Sequence, residues 1–386
     1  MSVTRVIADS SVAERAGDIA ERIAGPQADD VDARARFPQE AIDGLREQGL
    51  LAALIPTDLG GGGATLADMA AATEALGRHC ASTAMIFAMH QIQVACLVQH
   101  GSTPHLRDLQ REIATDGLLL ASATTEVGIG GDVRSSLCAV VHGEHYSLTK
   151  QAPVISYGAY ADIILATARR TPDSPANDQS LVVCRRDAYT LEATGVWDTL
   201  GFRGTCSPGF VLRADGPPED ILPEPFGDIS ARTMLPTAHI LWASVWLGLA
   251  GSAVETARRF VRSQARKQPG VVPPSALRLA ELMSVYQQMS EIVHGAVRRY
   301  TDALADPDQL SSLGFAISMN SVKTITSTLV VDVVSRCLLI CGIVAYSANT
   351  PYSLGRHLRD AHGAALMVNN DRILQNTSQM LLVHKD

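Results

Sequence analysis

The sequence lacks several features that assign a chain to an extracellular, metal-binding or nucleic-acid-binding class. Its seven cysteines are scattered, odd in number and never spaced as CxxC, which argues against a disulfide framework and a zinc site. Basic residues are also few, because 32 lysines and arginines stand against 40 acidic residues. The resulting net charge of -8 does not favour binding to nucleic acid or to an acidic membrane surface. We therefore expect no metal, nucleic acid or membrane partner, and a cytoplasmic, reducing location.

Long hydrophobic runs are scarce as well. The first eighteen residues contain no apolar stretch of signal-peptide length, so no leader is expected. One segment, between Arg232 and Glu255, carries no formal charge and is long enough in principle to span a bilayer. Pro236 and the polar residues of this segment, among them His239 and Ser244, favour a buried helix of a bundle instead.

The pattern of apolar residues changes twice along the 386 residues, which predicts three domains. Residues 1–118 show helical spacing of apolar positions, and residues 119–224 form short β-branched segments separated by Gly, Pro, Asp and Asn. Residues 225–386 are helical again. Prolines divide this last part into four long segments, which predict a four-helix bundle over 231–267, 274–305, 310–340 and 356–381. The fold class expected is mainly α with a central, small antiparallel β-domain.

Five stretches in this order resemble motifs of the acyl-CoA dehydrogenase superfamily, and together they cover nearly the whole chain. They are FPQEAIDGLREQGLLAALIPTDLGGGGATLADMA (37–70), ASATTEVGIGGDV (121–133), WDTLGFRGTCSPGFVL (197–212), ARKQPG (265–270) and TPYSLGRHLRDA (350–361). The resemblance implies an N-terminal helical domain, a middle β-barrel domain and a C-terminal four-helix bundle. It also implies FAD as cofactor, an acyl-CoA or acyl-carrier protein as substrate, and electron-transfer flavoprotein or oxygen as electron acceptor. Members of the family are usually homodimers or homotetramers.

The residues that match the family's flavin contacts are only partly kept. The match assigns cofactor binding to Thr124, Thr125, Gly130, Gly131, Ile155, Ser156, Arg266 and Asn370. Gly131 stands where the family usually has serine, and Arg266 matches the arginine that reaches the cofactor pyrophosphate of a neighbouring subunit. Leu339 and Ile343 replace a glutamine and a glycine of the family's adenine-end stretch, which leaves that end of the cofactor in doubt.

The sharpest departure concerns the catalytic base. Counting from the RDA triplet, the family's catalytic glutamate falls on Val368, and the second known location for the base falls on Ala238. Neither side chain accepts a proton, although the backbone N–H of Val368 is still able to polarise a thioester carbonyl. Asp371, Glu126 and His239 are the substitutes that the sequence offers, and each also has an ordinary structural interpretation.

Trp242 matches a position that lines the acyl pocket of the family, and Trp246 follows it by one helical turn. An indole at 242 would shorten the pocket and disfavour long fatty chains; the alternative is that both tryptophans belong to the bundle core.

The sequence leaves three functions open. The first is α,β-dehydrogenation of a short, branched or aromatic acyl thioester with a non-standard base. The second is a flavin-dependent monooxygenase or lyase on the same scaffold, and the third is a non-catalytic subunit of a heteromeric acyl-CoA dehydrogenase.

Overall fold

The computed structural model describes residues 11–130 and 132–385. From residue 11 onward, six helices make up the described N-terminal part, and the first two are joined by a π-helical turn at Ala20–Ala24: α1 Val12–Ile19, α2 Gly25–Arg34, α3 Gln39–Glu47, α4 Leu66–Gly77, α5 Ala81–His100 and α6 Pro104–Asp116. Capping boxes start two of them, because Ser11 and Glu14 satisfy the free backbone groups of α1, and Thr65 and Asp68 do the same for α4. α5 is the central element of this part and is buried along nearly its whole length.

Six strands follow and form two three-stranded sheets: β1 Leu120–Ala123, β2 Tyr146–Ala152, β3 Ile163–Arg169, β4 Gln179–Arg185, β5 Tyr189–Ala193 and β6 Phe210–Gly216. One sheet has the order β1-β3-β4 and the other β2-β6-β5. β2 alternates buried and exposed positions, as expected for a strand with one solvated face, whereas β3 and β4 are buried almost throughout.

One strand pair differs from the antiparallel domain that the sequence indicates. β1 runs parallel to β3, with Leu120 opposite Ile163, while all other pairs within the two sheets are antiparallel. Between β1 and β3 the chain leaves this sheet to build β2 in the other one, and this long crossover allows a parallel return.

The C-terminal part is built on three long helices, with the remainder in shorter ones: α7 Phe226–Ile229, α8 Leu235–Lys267, α9 Ser275–Ala303, α10 Pro307–Leu310, α11 Leu313–Cys341, α12 Ile343–Tyr346, α13 Gly355–Gly363 and α14 Asn370–Leu381. The fourth predicted bundle segment, 356–381, is therefore two helices. They are separated by a turn in which Val368 has a φ of 46°. The helix, strand, helix order confirms the predicted fold class.

Close contact between α4 and α8 requires glycine on both helices. A Cβ atom at Gly248 would lie 2.2 Å from the carbonyl oxygen of Glu74, and one at Gly77 would lie 2.7 Å from that of Val245. Because both clashes are with backbone, no side-chain rotation relieves them. At this crossing the backbones of α4 and α8 are thus in direct contact, which joins the N-terminal helices to the bundle.

Substituting Gly248 with alanine is expected to lower the free energy of unfolding by about 2–3 kcal/mol, because the helices must move apart. Gly17, in the interior of α1, is the matched control, since a Cβ there would meet nothing within 4 Å. Gly17→Ala should raise stability by about 0.5–1 kcal/mol through its helix propensity. Urea denaturation of both variants checks this, and equal effects would contradict the role given to the crossing.

In the described parts of the chain, three helical segments meet the length and composition of a membrane span: α5, the continuous run 226–267, and α11. Within the protein, 89% and 94% of the most apolar windows of the first two are buried, against 44% for α11. The predicted bundle helix over 232–255 agrees with this burial. α11 instead keeps apolar side chains such as Ile325 and Leu339 exposed.

Candidate functional site

Three segments predicted to contact a flavin lie next to one another. The turn after β1 touches the segment before Ser156, because the Thr125 hydroxyl donates to the carbonyl oxygen of Val154 over 3.4 Å. The same turn reaches the N-terminal half and middle of α14. There the Arg134 guanidinium donates to the Asn376 side chain over 2.8 Å, and a Cβ at Gly130 would lie 2.9 Å from the Arg372 guanidinium.

These segments present hydrogen-bonding groups without protein partners. Among the described residues, no acceptor lies within reach of the backbone N–H groups of Thr125, Glu126 and Ser156. The Ser156 hydroxyl accepts from Ser207 over 3.0 Å, which leaves its own proton free to donate. Thr124, the residue before Thr125, is half-buried. Free donors at the edge of a sheet suit the acceptor-rich rim of a flavin ring. The residues present therefore fit that group. Ile155 is fully buried and serves packing, and Gly131 lies outside the described residues.

Val368 occupies the turn between α13 and α14 in a strained conformation. Its φ of 46° falls in the left-handed region, which costs a side chain of L configuration about 1–2 kcal/mol and is least favourable for a β-branched residue. Its backbone N–H finds no acceptor among the described residues. Strain of this kind concentrates at functional sites, and a free N–H is what the sequence expects of this residue as a carbonyl-binding group.

Lys323, on α11, holds this turn from the interior of the bundle. Its ammonium group donates to the carbonyl oxygen of Val368 and to the side-chain oxygen of Asn370, both over 2.7 Å. It is fully buried, and it lies 5.9 Å from the centre of the Trp246 ring. Asn370, predicted as a flavin contact, also donates to the Ser327 hydroxyl over 3.0 Å, so its side chain is held on α11.

Burial lowers the pKa of Lys323 from 10.5 to about 8. Between these two values the unfolded chain binds more protons than the folded one, so stability should rise as the pH increases from about 8 to about 10.5. The full effect is on the order of 3 kcal/mol, and it should vanish in Lys323→Met. Urea denaturation of both proteins from pH 7 to 10.5 measures the difference between them. Parallel stability curves would contradict a buried, charged Lys323.

His239, on α8, has a fixed tautomer. Its Nδ1 lies 3.1 Å from the carbonyl oxygen of Met319, which only accepts hydrogen bonds, so Nδ1 carries the proton. Nε2 is left with a free lone pair, and this atom is buried without a partner among the described residues. Burial, and next the charge of Lys323, lower the pKa of His239 to about 4. The imidazole is thus neutral at pH 7, with an acceptor directed into the protein.

The other predicted pocket residues lie on the same helix. Ala238 is buried, and Trp242 is half-buried with its ring centre 6.2 Å from that of His239. The indole N–H groups of Trp242 and Trp246 are both buried without an acceptor among the described residues. Trp246 has no exposed surface and belongs to the core, as one of the two sequence interpretations expects.

Three other candidates lie away from this cluster. Asp371 is exposed in the first turn of α14, where its backbone N–H donates to the capping Asn369 over 2.9 Å. Arg266 is exposed near the end of α8. Glu126 is buried and accepts from Ser136, Leu137, Cys138 and Lys150. Burial alone would raise the pKa of Glu126, but Lys150 and Ser136 lower it below its usual value.

Two of the sequence motifs pack against each other beside the site. The Phe202 N–H donates to the Asp360 carboxylate over 2.6 Å, which joins the LGFR stretch to the RDA triplet. Gly201 is required here, because a Cβ would lie 2.2 Å from the carbonyl oxygen of Arg359. Burial raises the pKa of Asp360 to about 6. These motifs fix the position of α13, and with it the turn that carries Val368.

Lys323 is the site residue that sequence reasoning missed. One feature marks it, since it is the only charged residue between positions 313 and 331 of a strongly apolar helix. Within the described parts of the chain, no group of three or more His, Cys, Asp or Glu side chains is arranged to hold a metal ion.

Comparison with known proteins agrees with this architecture. The N-terminal domain of acyl-CoA dehydrogenases matches residues 9–114, and their C-terminal domain matches residues 229–375. Cyclohex-1-ene-1-carbonyl-CoA dehydrogenase from Geobacter metallireducens is 28% identical over 352 residues, which cover 89% of this chain and 90% of that protein.

Two solved structures show the same fold over nearly their full lengths. An FMN-bound dibenzothiophene monooxygenase from Paenibacillus sp. A11-2 has a TM-score of 0.84 at 20% identity, covering 97% of this chain and 98% of its own. Butyryl-CoA dehydrogenase from Megasphaera elsdenii has a TM-score of 0.80 at 20% identity, covering 99% of each chain. With both domain matches in place, this chain belongs to the acyl-CoA dehydrogenase superfamily.

Proposed function

We propose that the protein is a flavin-dependent oxidoreductase that removes the α- and β-hydrogens of a short, branched or aromatic acyl thioester, with His239 as the base. The observation that carries the proposal is the fixed tautomer of His239, which leaves a buried, unpartnered Nε2 acceptor. His239 stands directly after Ala238, the second known location of the family's base. This position supports the proposal that His239 acts as the base in place of residue 238.

The chain supplies two functions in this reaction. The free N–H of Val368 donates to the thioester carbonyl, which lowers the energy of the enolate as negative charge develops on that oxygen. His239 Nε2 takes the α-proton and becomes an imidazolium, which the adjacent enolate stabilises. When bound, the flavin would supply the acceptor for the β-hydrogen, which leaves as a hydride with the electron pair of its bond. The proton then leaves His239 for solvent, and the product is the α,β-unsaturated thioester.

Residues around the turn after β1 would hold the flavin ring. Thr124, Thr125, Gly130 and Ser156 would contact it from the β-domain, and Asn370 would contact it from the bundle. FAD and FMN share this ring, and the exposed apolar side chains of Leu339 and Ile343 do not favour the adenine end of FAD. We keep FAD as the proposed cofactor, with Arg266 reaching the pyrophosphate of a neighbouring subunit.

Assembly is part of the proposal because Arg266 needs a second chain to act on. A homodimer or homotetramer in the cytoplasm would also cover the exposed apolar side chains of Leu339, Ile343, Tyr346 and Leu366. Electron-transfer flavoprotein or oxygen would re-oxidise the flavin, and coenzyme A or a carrier protein would bear the acyl group.

Anaerobic mixing of the flavin-loaded protein with acyl thioesters tests the function. The panel consists of propionyl-, butyryl-, isobutyryl-, cyclohexanecarbonyl- and 3-phenylpropionyl-CoA. We expect bleaching of the flavin absorbance with at least one of them and formation of the matching enoyl thioester. If none of the five thioesters bleaches the flavin, the proposed function is wrong.

Trp242 should set the length of the acyl chain. Replacing it with valine removes an indole from the face that carries His239, so the octanoyl-to-butyryl ratio of kcat/KM should rise about 10- to 100-fold. The ratio is its own control, because a general loss of activity cancels in it. An unchanged ratio would show that Trp242 does not line the acyl pocket and only packs in the bundle core.

A flavin-dependent monooxygenase is the second candidate. The absence of a carboxylate at Val368 and Ala238 favours it, because oxygen activation does not require an α-proton acceptor. It predicts oxygen uptake that depends on both an external source of reduced flavin and an organic substrate. Substrate-independent uptake would exclude it.

A further inference from the structure

We propose that Lys323 is the positioning residue of the carbonyl-binding turn: it holds the Val368 peptide in the left-handed conformation that leaves the Val368 N–H free for substrate. The consequence for catalysis rests on the proposed function, whereas the structural role of Lys323 stands separately from it. Both are open to measurement.

The turn needs an external support because its own residues do not favour it. A β-branched residue such as Val368 avoids positive φ, and such a conformation persists only where the surroundings enforce it. α13 ends at Gly363, and the four residues that then lead to Val368, AALM (364–367), are good helix formers that do not by themselves favour a positive φ at the next position. A contact from outside the segment must therefore hold the turn at Val368.

Lys323 supplies that interaction from a rigid element. Its ammonium group spans the turn, since it donates to the carbonyl oxygen of Val368 at the strained residue and to Asn370 at the first position of α14. Asn370 is fixed in turn by the Ser327 hydroxyl at 3.0 Å and by its own N–H, which donates to the carbonyl of Ala365 at 3.2 Å. Lys323 and Ser327 lie one turn apart on α11.

The charge on Lys323 has no other use in the described structure. Among the described residues no carboxylate forms an ion pair with it, and beyond the turn its charge acts on the Trp246 ring and on His239. A buried ammonium without a counter-ion is costly, so an apolar residue would serve packing better. Its positive field is useful where negative charge develops on a thioester oxygen bound at the same turn. This argues for a role in the reaction as well as in the conformation.

Two variants test the positioning role in the ligand-free, flavin-loaded protein. Lys323→Met should speed hydrogen exchange of the amides in residues 366–374 at least about 10-fold, with the largest change at Asn370. Lys323→Arg keeps a charged donor and should change exchange less than about threefold. Arg336→Met is the control, since it removes a charge further along the same helix, where Arg336 pairs with Asp332 over 2.9 Å, and it should leave this segment unchanged. Unaltered exchange in Lys323→Met would overturn the proposal.

The second readout is the carbonyl stretch of crotonyl-CoA labelled with carbon-13 at C1. Bound to the wild type, it should shift to lower frequency, and the shift should be lost in Lys323→Met and retained in Lys323→Arg. Faster exchange with an unchanged carbonyl shift would make Lys323 merely structural and overturn its positioning role. If the bound wild-type complex shows no shift, the proposed function fails, and the exchange measurement still decides whether Lys323 holds the turn.

Discussion

Replacing His239 with alanine is expected to slow flavin reduction by a responsive acyl thioester about 100- to 10,000-fold, the range spanned by general-base catalysis. The reason is that Nε2 is the unpartnered buried acceptor beside Lys323, and no carboxylate contributes to the pKa of this residue. Binding of crotonyl-CoA should change less than about threefold, because the carbonyl is held by Val368. Stopped-flow absorbance of the flavin band measures the rate.

His294 provides the matched control for this variant. It is an exposed histidine on α9, and His294→Ala should reduce flavin at the wild-type rate. A rate in His239→Ala within threefold of the wild type would remove His239 from the mechanism. Loss of thioester binding in that variant would instead assign His239 to substrate recognition.

Lys150→Met should destabilise the protein by about 3–5 kcal/mol, because it leaves the Glu126 carboxylate buried without its cation. Lys150 has no exposed surface and donates to Glu126 over 3.1 Å and to the carbonyl of Thr167 over 2.9 Å. The pair joins the turn after β1 to β2 and β3, so its loss should also weaken flavin binding. Urea denaturation gives the first effect, and flavin titration gives the second.

The same sheet offers an exposed pair as the comparison. Arg213 and Glu192 are 2.9 Å apart with more than half of each side chain exposed, so Arg213→Met should cost less than about 1 kcal/mol. The double variant E126Q/K150M should recover most of the stability lost in Lys150→Met. A Lys150→Met protein as stable as Arg213→Met would show that Glu126 is satisfied by Ser136 and the two backbone N–H groups without the lysine.

Much of the architecture can be predicted from local sequence patterns. The change from helical spacing to short β-branched segments and back indicates the α, β, α order, and the five motifs indicate the family. The parallel pairing of β1 with β3 is not predictable in this way, because β-propensity carries no information on strand direction. Direction depends on the path of the chain through the second sheet.

The site was predicted less completely, for physical reasons that concern particular residues. The sequence identifies His239 as a titratable residue next to Ala238, the position at which the base is missing. Its tautomer is not predictable, because it depends on the carbonyl of Met319, eighty positions away. The turn at Val368 is not visible in the sequence, because AALM (364–367) favours a helix and the contact that holds the turn comes from Lys323 on α11. Glu126 looks like a catalytic candidate until its four partners are known.

The transfer of the α-proton to His239 can be followed without any electron acceptor. The flavin-loaded wild type is incubated anaerobically in deuterium oxide with butyryl-CoA, or with whichever panel thioester bleaches the flavin, and deuterium at C2 is measured by mass spectrometry. We predict incorporation at C2 by the wild type and at least a 100-fold slower rate in His239→Ala. Equal incorporation by both proteins, or none by the wild type, would contradict the assignment of His239 as the base.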